Sequence, residues 1–328
     1  MFKFFSQNTI GAYIMLPLLL VALRLRLILF PHEGFTPTTE NLYTPLWTEI
    51  FGCISEGSTL SITLSIIITL VIALIINGIS NRFHFTEHQS LLAALYYILL
   101  TSGFVISHGL HPIHLFAFFF CIAIICLFKA ADIARPMATI YNAFFYYSIG
   151  WLFWGKGLWL MPIMFIMPYF LRAYSFRSIL AALMGLSTPL ITYATWLFLK
   201  NSLVGTTTQF IHTCTMHLSF FHMGAYTISY AILYALTILF AILNSIGKLT
   251  KLSITESRYT CSLIIATLLT SLLIILPQFT FETMQIVAIG GGILIATTIN
   301  QIHSKTLAEF ITTIMLIVTI VVQWIVKG

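Results

Sequence analysis

Charge is what this sequence has least of. Asp, Glu, Lys and Arg together make up 7% of the 328 residues, while hydrophobic residues make up 59% and the mean hydropathy is +1.00. Soluble domains carry roughly 25% charged residues because a water-facing surface must be hydrated. A chain this poor in charge cannot clothe a globule of its size in water, so its solvent is mostly lipid. Basic runs with interleaved aromatics are missing too. Lys and Arg stand singly at the ends of apolar segments, so the net charge of +6 reads as membrane topology and not as affinity for nucleic acid. The five cysteines form no CxxC pair, and Cys121 and Cys126, within one apolar stretch, read as small core residues. There is no GxxxxGK[ST] loop, no HExxH and no GxSxG elbow, which leaves nucleotide hydrolysis and the common hydrolase chemistries without support. A persuasive internal repeat is also lacking, which weakens a transporter built from inverted halves.

What the sequence does have is apolar segments, at about 10–30, 59–79, 90–107, 113–129, 139–154, 158–171, 178–199, 224–246, 260–276, 282–299 and 310–326. Backbone polar groups at membrane depth must be satisfied internally, so these segments predict helices. The expected fold is an all-α polytopic transmembrane bundle of about 11 spans, forming a single domain over residues 1–328. The pair around Gly155-Lys156-Gly157 is short and contains Pro162 and Pro168, so it reads as two spans or as a re-entrant hairpin, which sets the range at 9–11. The first segment is long, carries two arginines and lacks a small-residue cleavage site, so it reads as an uncleaved span. With the N-terminus inside, the cytoplasmic ends hold Lys3, Arg82, Lys129, Arg135, Arg172, Arg177, Lys248, Lys251, Arg258 and Lys305, ten of the fifteen basic residues. That bias favours an N-in, C-out topology.

Two outer loops have substance, 31–58 and 201–223. Within the first, Tyr43 to Phe51 predicts an amphipathic interfacial helix with Trp47 and Phe51 at i,i+4. Cys53 and Cys214 fall one in each loop, which allows a disulfide without requiring one. Arg24 and Arg26, in the outer part of the first span, have two readings. They snorkel to the headgroups, or they bind a lipid phosphate, which a planar multi-donor guanidinium suits. Glu33 follows in Pro31-His32-Glu33-Gly34, where it is either a solvated loop acid or a general base or holder of a divalent cation. His108, His111 and His114 are spaced by three, but Pro112 interrupts the helix they would share, so they read as interfacial. No clean metal-ligand pattern exists among the histidines. Asp132, at a helix-end turn, is expected to pair locally with a base. The run Gly290-Gly291-Gly292 allows close helix approach.

Two stretches resemble known families. Pro168-Tyr-Phe-Leu-Arg172-Ala-Tyr-Ser-Phe-Arg177, continuing through Gly185 to Pro189, resembles a motif of an uncharacterised family of polytopic inner-membrane proteins from Bacteroidota, as does Tyr141-Asn142-Ala143 through Trp154. That likeness covers roughly residues 10–200 and identifies no reaction. Thr44-Pro45-Leu46-Trp47 to Phe51-Gly52, followed by the Ser58–Ser80 span, is similar to the start of multi-spanning glycosyltransferases that use polyprenyl-phosphate sugars. By position Glu33 matches their catalytic carboxylate, and the resemblance implies a periplasm-facing groove for a lipid-linked sugar. This chain departs from them in having His108-Gly109-Leu110-His111 where those enzymes often carry acids, and in its short outer loops. The expectation is a non-catalytic bacterial inner-membrane component of cell-envelope biogenesis, without a cofactor, working as a subunit or lipid-handling partner beside other membrane proteins. The alternative is a polyprenyl-phosphate-sugar-dependent glycosyltransferase with Glu33 as base or metal holder and Arg24 or Arg26 on the phosphate.

Overall fold

The computed structural model describes all residues except 1, 8, 27–42, 56, 87–88, 105–107, 216–224, 275–280, 303 and 326–328. After a single helical turn at Phe2–Phe5, the helices run in the order α1 (Ile10–Leu23), α2 (Pro45–Phe51), α3 (Thr59–Arg82), α4 (Leu92–Ser102), α5 (Pro112–Ala130), α6 (Met137–Phe153), α7 (Met161–Phe170), α8 (Phe176–Leu199), α9 (Leu203–Thr215), α10 (Ala225–Lys248), α11 (Ile254–Leu273), α12 (Met284–Asn300) and α13 (Lys305–Ile325). Short 3₁₀ helices at Gly155–Leu160 and Phe281–Thr283 precede α7 and α12. No strand occurs among the described residues.

Among the described residues, five stretches are long and apolar enough to cross a bilayer: Thr59–Arg82, Pro112–Ala130, Phe176–Leu199, Ile228–Lys248 and Lys305–Gln323. At 1.5 Å per residue a 24-residue helix is roughly 36 Å long, more than the roughly 30 Å of a hydrocarbon core. This is a membrane protein. Its exposed apolar side chains are the lipid-facing ones, such as Met184 and Phe198 on α8, Leu236 and Phe240 on α10, and Phe310 on α13. The predicted amphipathic helix is present as α2, where Trp47 is buried and its ring stacks on Phe51 at 4.6 Å.

The centre is built from the shorter helices. Every residue of the 11-residue α4 is buried, and nearly all of α12. Successive residues of a helix are about 100° apart, so the three glycines of α12 meet three surroundings. A Cβ on Gly290 would strike Thr267 of α11, one on Gly291 would touch Ile238 of α10, and one on Gly292 would lie 3.1 Å from the backbone nitrogen of Tyr97 in α4. The run therefore lets α12 seat among its neighbours at backbone distance. Hydrogen-bonded hydroxyls tie in the flanking helices. Tyr234 of α10 lies 2.8 Å from the Thr319 hydroxyl of α13, and Tyr230 donates to the carbonyl of Leu99 at 3.0 Å. In lipid, where burial of apolar area drives little association, such packing and hydrogen bonds hold helices together.

Helix ends gather at two poles. At one, the end of α1, the start of α3, the α4–α5 turn, the 3₁₀ segment Gly155–Leu160, the start of α12 and the end of α13 are joined by side-chain hydrogen bonds. At the other, Asp132 beyond α5 accepts from Tyr259 of α11 at 2.7 Å, and Lys248 of α10 donates to Gln301 beyond α12. Asp132 thus pairs with a phenol where a base was expected. The Cys53–Cys214 disulfide is absent: both thiols are free, Cys53 exposed and Cys214 buried beneath Trp159, whose Nε1 donates to the Cys214 carbonyl at 3.1 Å.

Candidate functional site: a buried polar hub

The hub grows from the α4–α5 turn. Pro112 stands at the first position of α5, where its fixed φ and missing N–H cost nothing, and this makes His111 the N-cap. Its Nδ1 accepts from the Ile113 N–H at 3.4 Å, and a reciprocal contact of His114 Nδ1 with the His111 N–H at 3.3 Å completes a capping box. The turn is fixed to α3 by hydroxyls four residues apart, which share one helical face. Ser61 Oγ accepts from the Leu110 N–H at 2.8 Å, and Ser65 Oγ donates to the His108 carbonyl at 2.6 Å. The three histidines consequently point to three partners instead of the interface. His108 and His114 are wholly buried, which corrects the interfacial reading.

On one side of the turn sits Arg24. Its side chain is fully buried, and its guanidinium donates to the hydroxyl of Ser65, to Thr69 Oγ1 at 3.0 Å and to the His108 carbonyl at 3.4 Å. Ser65 and Thr69 can accept because each gives its own proton to a carbonyl. All three acceptors are neutral, and among the described residues no carboxylate pairs with Arg24. The guanidinium is turned inward to protein oxygens, so snorkelling is not its geometry. Arg26, part-buried, donates to the carbonyl of Gln323 on α13. His108 Nε2 lies 2.7 Å from the Ser102 carbonyl, which also accepts from the Gln323 amide. Burial first, and the Arg24 charge second, lower the pKa of His108 to about 3, so this imidazole is neutral at physiological pH.

On the other side, Glu282 and Lys156 form a buried ion pair. Lys156 Nζ reaches Glu282 Oε1 at 3.1 Å, and His111 Nε2 lies 3.3 Å from Oε2. Because His111 Nδ1 accepts from a backbone N–H, its proton sits on Nε2 and is donated to the carboxylate. His114 Nε2 is 3.0 Å from the side-chain amide nitrogen of Gln285, one helical turn beyond Glu282. Above the pair the Tyr43 ring packs edge-on against His111 at 5.7 Å. Three buried polar atoms of the hub lack a partner: Arg24 Nε, Ser102 Oγ and His108 Nδ1. Since Lys156 and Glu282 cancel, the positive charge that stays buried among the described residues of the hub is that of Arg24, with the part-buried Arg26 near it.

No protein-family model matches the chain, and neither a curated protein nor a solved structure is similar to it. The site has to be read from its own chemistry.

That chemistry is a desolvated guanidinium held by three neutral acceptors, with an unpartnered N–H left at Arg24 Nε. Glu33, the predicted carboxylate, lies outside the described residues, as do His217 and His222. No three His, Cys, Asp or Glu side chains gather as a metal-ligand set among the described residues. Sequence reasoning found Arg24 and Arg26 but missed the Lys156–Glu282 pair, whose members are 126 residues apart. The signal for the Arg24 half was present in the Ser61, Ser65 and Thr69 spacing on α3.

Proposed function

We propose that this chain is a multi-spanning bacterial inner-membrane protein of cell-envelope biogenesis, a non-catalytic subunit or partner that handles an anionic lipid at its extracytoplasmic pole. Eleven apolar segments each carry a helix, which supports about 11 spans. The pole bearing Arg82, Lys129 and Lys248 is cytoplasmic by the positive-inside rule, so the hub faces outward. The observation that carries the reading is the buried Arg24 guanidinium, whose partners among the described residues are all neutral oxygens. A charge inside a membrane protein is costly and is retained for a ligand or pathway, and a polyprenyl or other lipid phosphate supplies the missing anion. Arg26, nearer the loop, is the second donor for it. No divalent cation is needed in this scheme.

The test is lipid analysis of the protein purified under mild detergent from native expression levels. Wild type should retain phosphate-bearing lipid and co-purify with other membrane proteins, while Arg24→Gln should lose most of the lipid. Equal lipid in both would overturn the proposal. The glycosyltransferase alternative makes a separate prediction, that Glu33→Gln abolishes sugar transfer from polyprenyl phosphate. The described acid beside the hub, Glu282, does not favour it, because Lys156 and His111 already engage that carboxylate.

A further inference from the structure

The opposite pole holds a site that the lipid-handling reading does not use. Where the C-terminal ends of α3 and α5 meet the start of α11 lies a cavity of about 280 Å³, lined by Arg82, His84, Lys129, Asp132, Glu256 and Tyr259 among others. Two aromatic rings, Phe83 and Tyr259, also line it, and they pack against each other and against Phe128 with ring centroids 5.0 to 5.3 Å apart.

The charges are balanced but unpaired. Two cations, Arg82 and Lys129, stand against two acids, Asp132 and Glu256, and His84 is the only other titratable imidazole or amine in the lining. Among the described residues neither Arg82 nor Lys129 forms an ion pair. The Arg82 guanidinium leans over the Phe83 ring at 5.9 Å, which engages its face and leaves its donors. Each acid has one oxygen taken by a neutral group: Tyr259 donates to Asp132 Oδ1 at 2.7 Å, and the Ser253 N–H donates to Glu256 Oε2 at 3.2 Å. Cations at helix C-termini are what topology and the helix dipole deliver anyway. Neither accounts for opposite charges sharing one cavity without closing on each other. His84, which follows the C-cap Phe83 in the left-handed turn that ends α3, lines the same cavity.

A purely anionic or purely cationic ligand would leave the lining unbalanced. A ligand carrying both signs would not. The volume lies just under the roughly 300–1,000 Å³ of sites for drug-sized molecules, which suits a headgroup-sized one. A phosphate offers several acceptor oxygens to cations that arrive from two different helices. We infer that this cavity binds a zwitterionic phosphate ester of the phosphoethanolamine type. Arg82 and Lys129 hold its phosphate, and the remaining oxygens of Asp132 and Glu256 take its ammonium. The same chemistry comes either from a lipid headgroup of the adjacent leaflet or from a soluble glycerophosphoethanolamine, a diester whose phosphate also carries one negative charge.

The experiment uses the full chain in an uncharged sugar detergent. Native mass spectrometry measures binding of phosphatidylethanolamine, phosphatidylglycerol and phosphatidylcholine, and calorimetry measures soluble glycerophosphoethanolamine. A lipid source predicts phosphatidylethanolamine bound about tenfold tighter than the other two, as expected for loss of a charge-assisted hydrogen bond, with no binding of the soluble ester. A soluble source predicts the reverse. In either case Lys129→Gln and Asp132→Asn should each weaken the preferred probe about tenfold. Both positions are at least partly exposed, so both variants should keep the wild-type melting profile. Equal affinity for all three lipids without binding of the soluble ester, or a preference that survives both substitutions, would overturn the inference. Arg24→Gln should leave this binding unchanged, which separates it from the reading of the hub.

Discussion

Lys156→Met is the most informative single change. The Lys156 and Glu282 side chains are 8% and 9% exposed with their charged atoms 3.1 Å apart. At an effective dielectric constant of about 20 their gross attraction is roughly 5 kcal/mol, most of it offset by the desolvation both ions have already suffered. Removing the ammonium leaves the Glu282 carboxylate buried without its countercharge, and such a stranded charge typically costs about 3–5 kcal/mol. Lys156→Met should therefore be severely destabilising, and Glu282→Gln should be similar because it strands the ammonium. The double variant Lys156→Met/Glu282→Leu removes both charges. It should recover to within about 2 kcal/mol of wild type, since replacing a buried pair by apolar groups is often neutral. The assay is reversible denaturation in mixed micelles at fixed detergent composition, read as a double-mutant cycle. Single losses under about 1 kcal/mol, or a double variant as unstable as the two singles added together, would refute the claim that this pair is a desolvated lock between the 3₁₀ segment and α12.

Four further outcomes follow from the same structure. Arg24→Lys should fail to replace arginine, because a lysine ammonium cannot reach the Ser65, Thr69 and His108 acceptors as a planar fork does; a loss of about 2 kcal/mol or more is expected in the same denaturation assay. Gly185→Ala should destabilise by about 1–3 kcal/mol, since a Cβ there would lie 2.4 Å from the Tyr141 carbonyl oxygen, while Gly78→Ala, with nothing within 4 Å, should be neutral or stabilise by up to about 1 kcal/mol. Cys53 should react with a membrane-impermeant maleimide added outside the cell, and Cys214 should react only after denaturation, with no change in mobility on reduction. Functional output, once assayed, should not follow a titration of His108 between about pH 5 and 8. Its pKa, lowered to about 3 by burial and by Arg24, keeps it neutral in the folded protein throughout that window, while its effect on stability sets in as pH falls through about 6.5, where the unfolded state gains the proton first, and grows down to about pH 3.

Much of the architecture was legible from composition. Lipid as solvent follows from the scarcity of charge, and in lipid a backbone must satisfy itself as helix, so the all-helical fold and the position of each apolar helix could be read directly. The α2 amphipathic helix and the close approach at Gly290-Gly291-Gly292 were readable because both depend on residues near in sequence. The histidine turn was misread for an instructive reason. Its spacing suggested a shared helical face broken by Pro112, whereas the proline instead starts α5 and turns His111 into a cap, sending its neighbours inward to partners on α3, α4 and α12. Lys156 and Glu282 looked like ordinary segment-end charges, since nothing local distinguishes a solvated lysine from a buried one.

The sequence by itself determined the solvent, the secondary structure and which residues carry charge near the helix ends, because those depend on local composition and on the backbone's need for internal hydrogen bonds. Only the tertiary structure decided which of those charges are buried, which cancel and which stay uncompensated. Pairing is set by distances between residues more than forty positions apart, and whether a charge is solvated depends on what else packs around it.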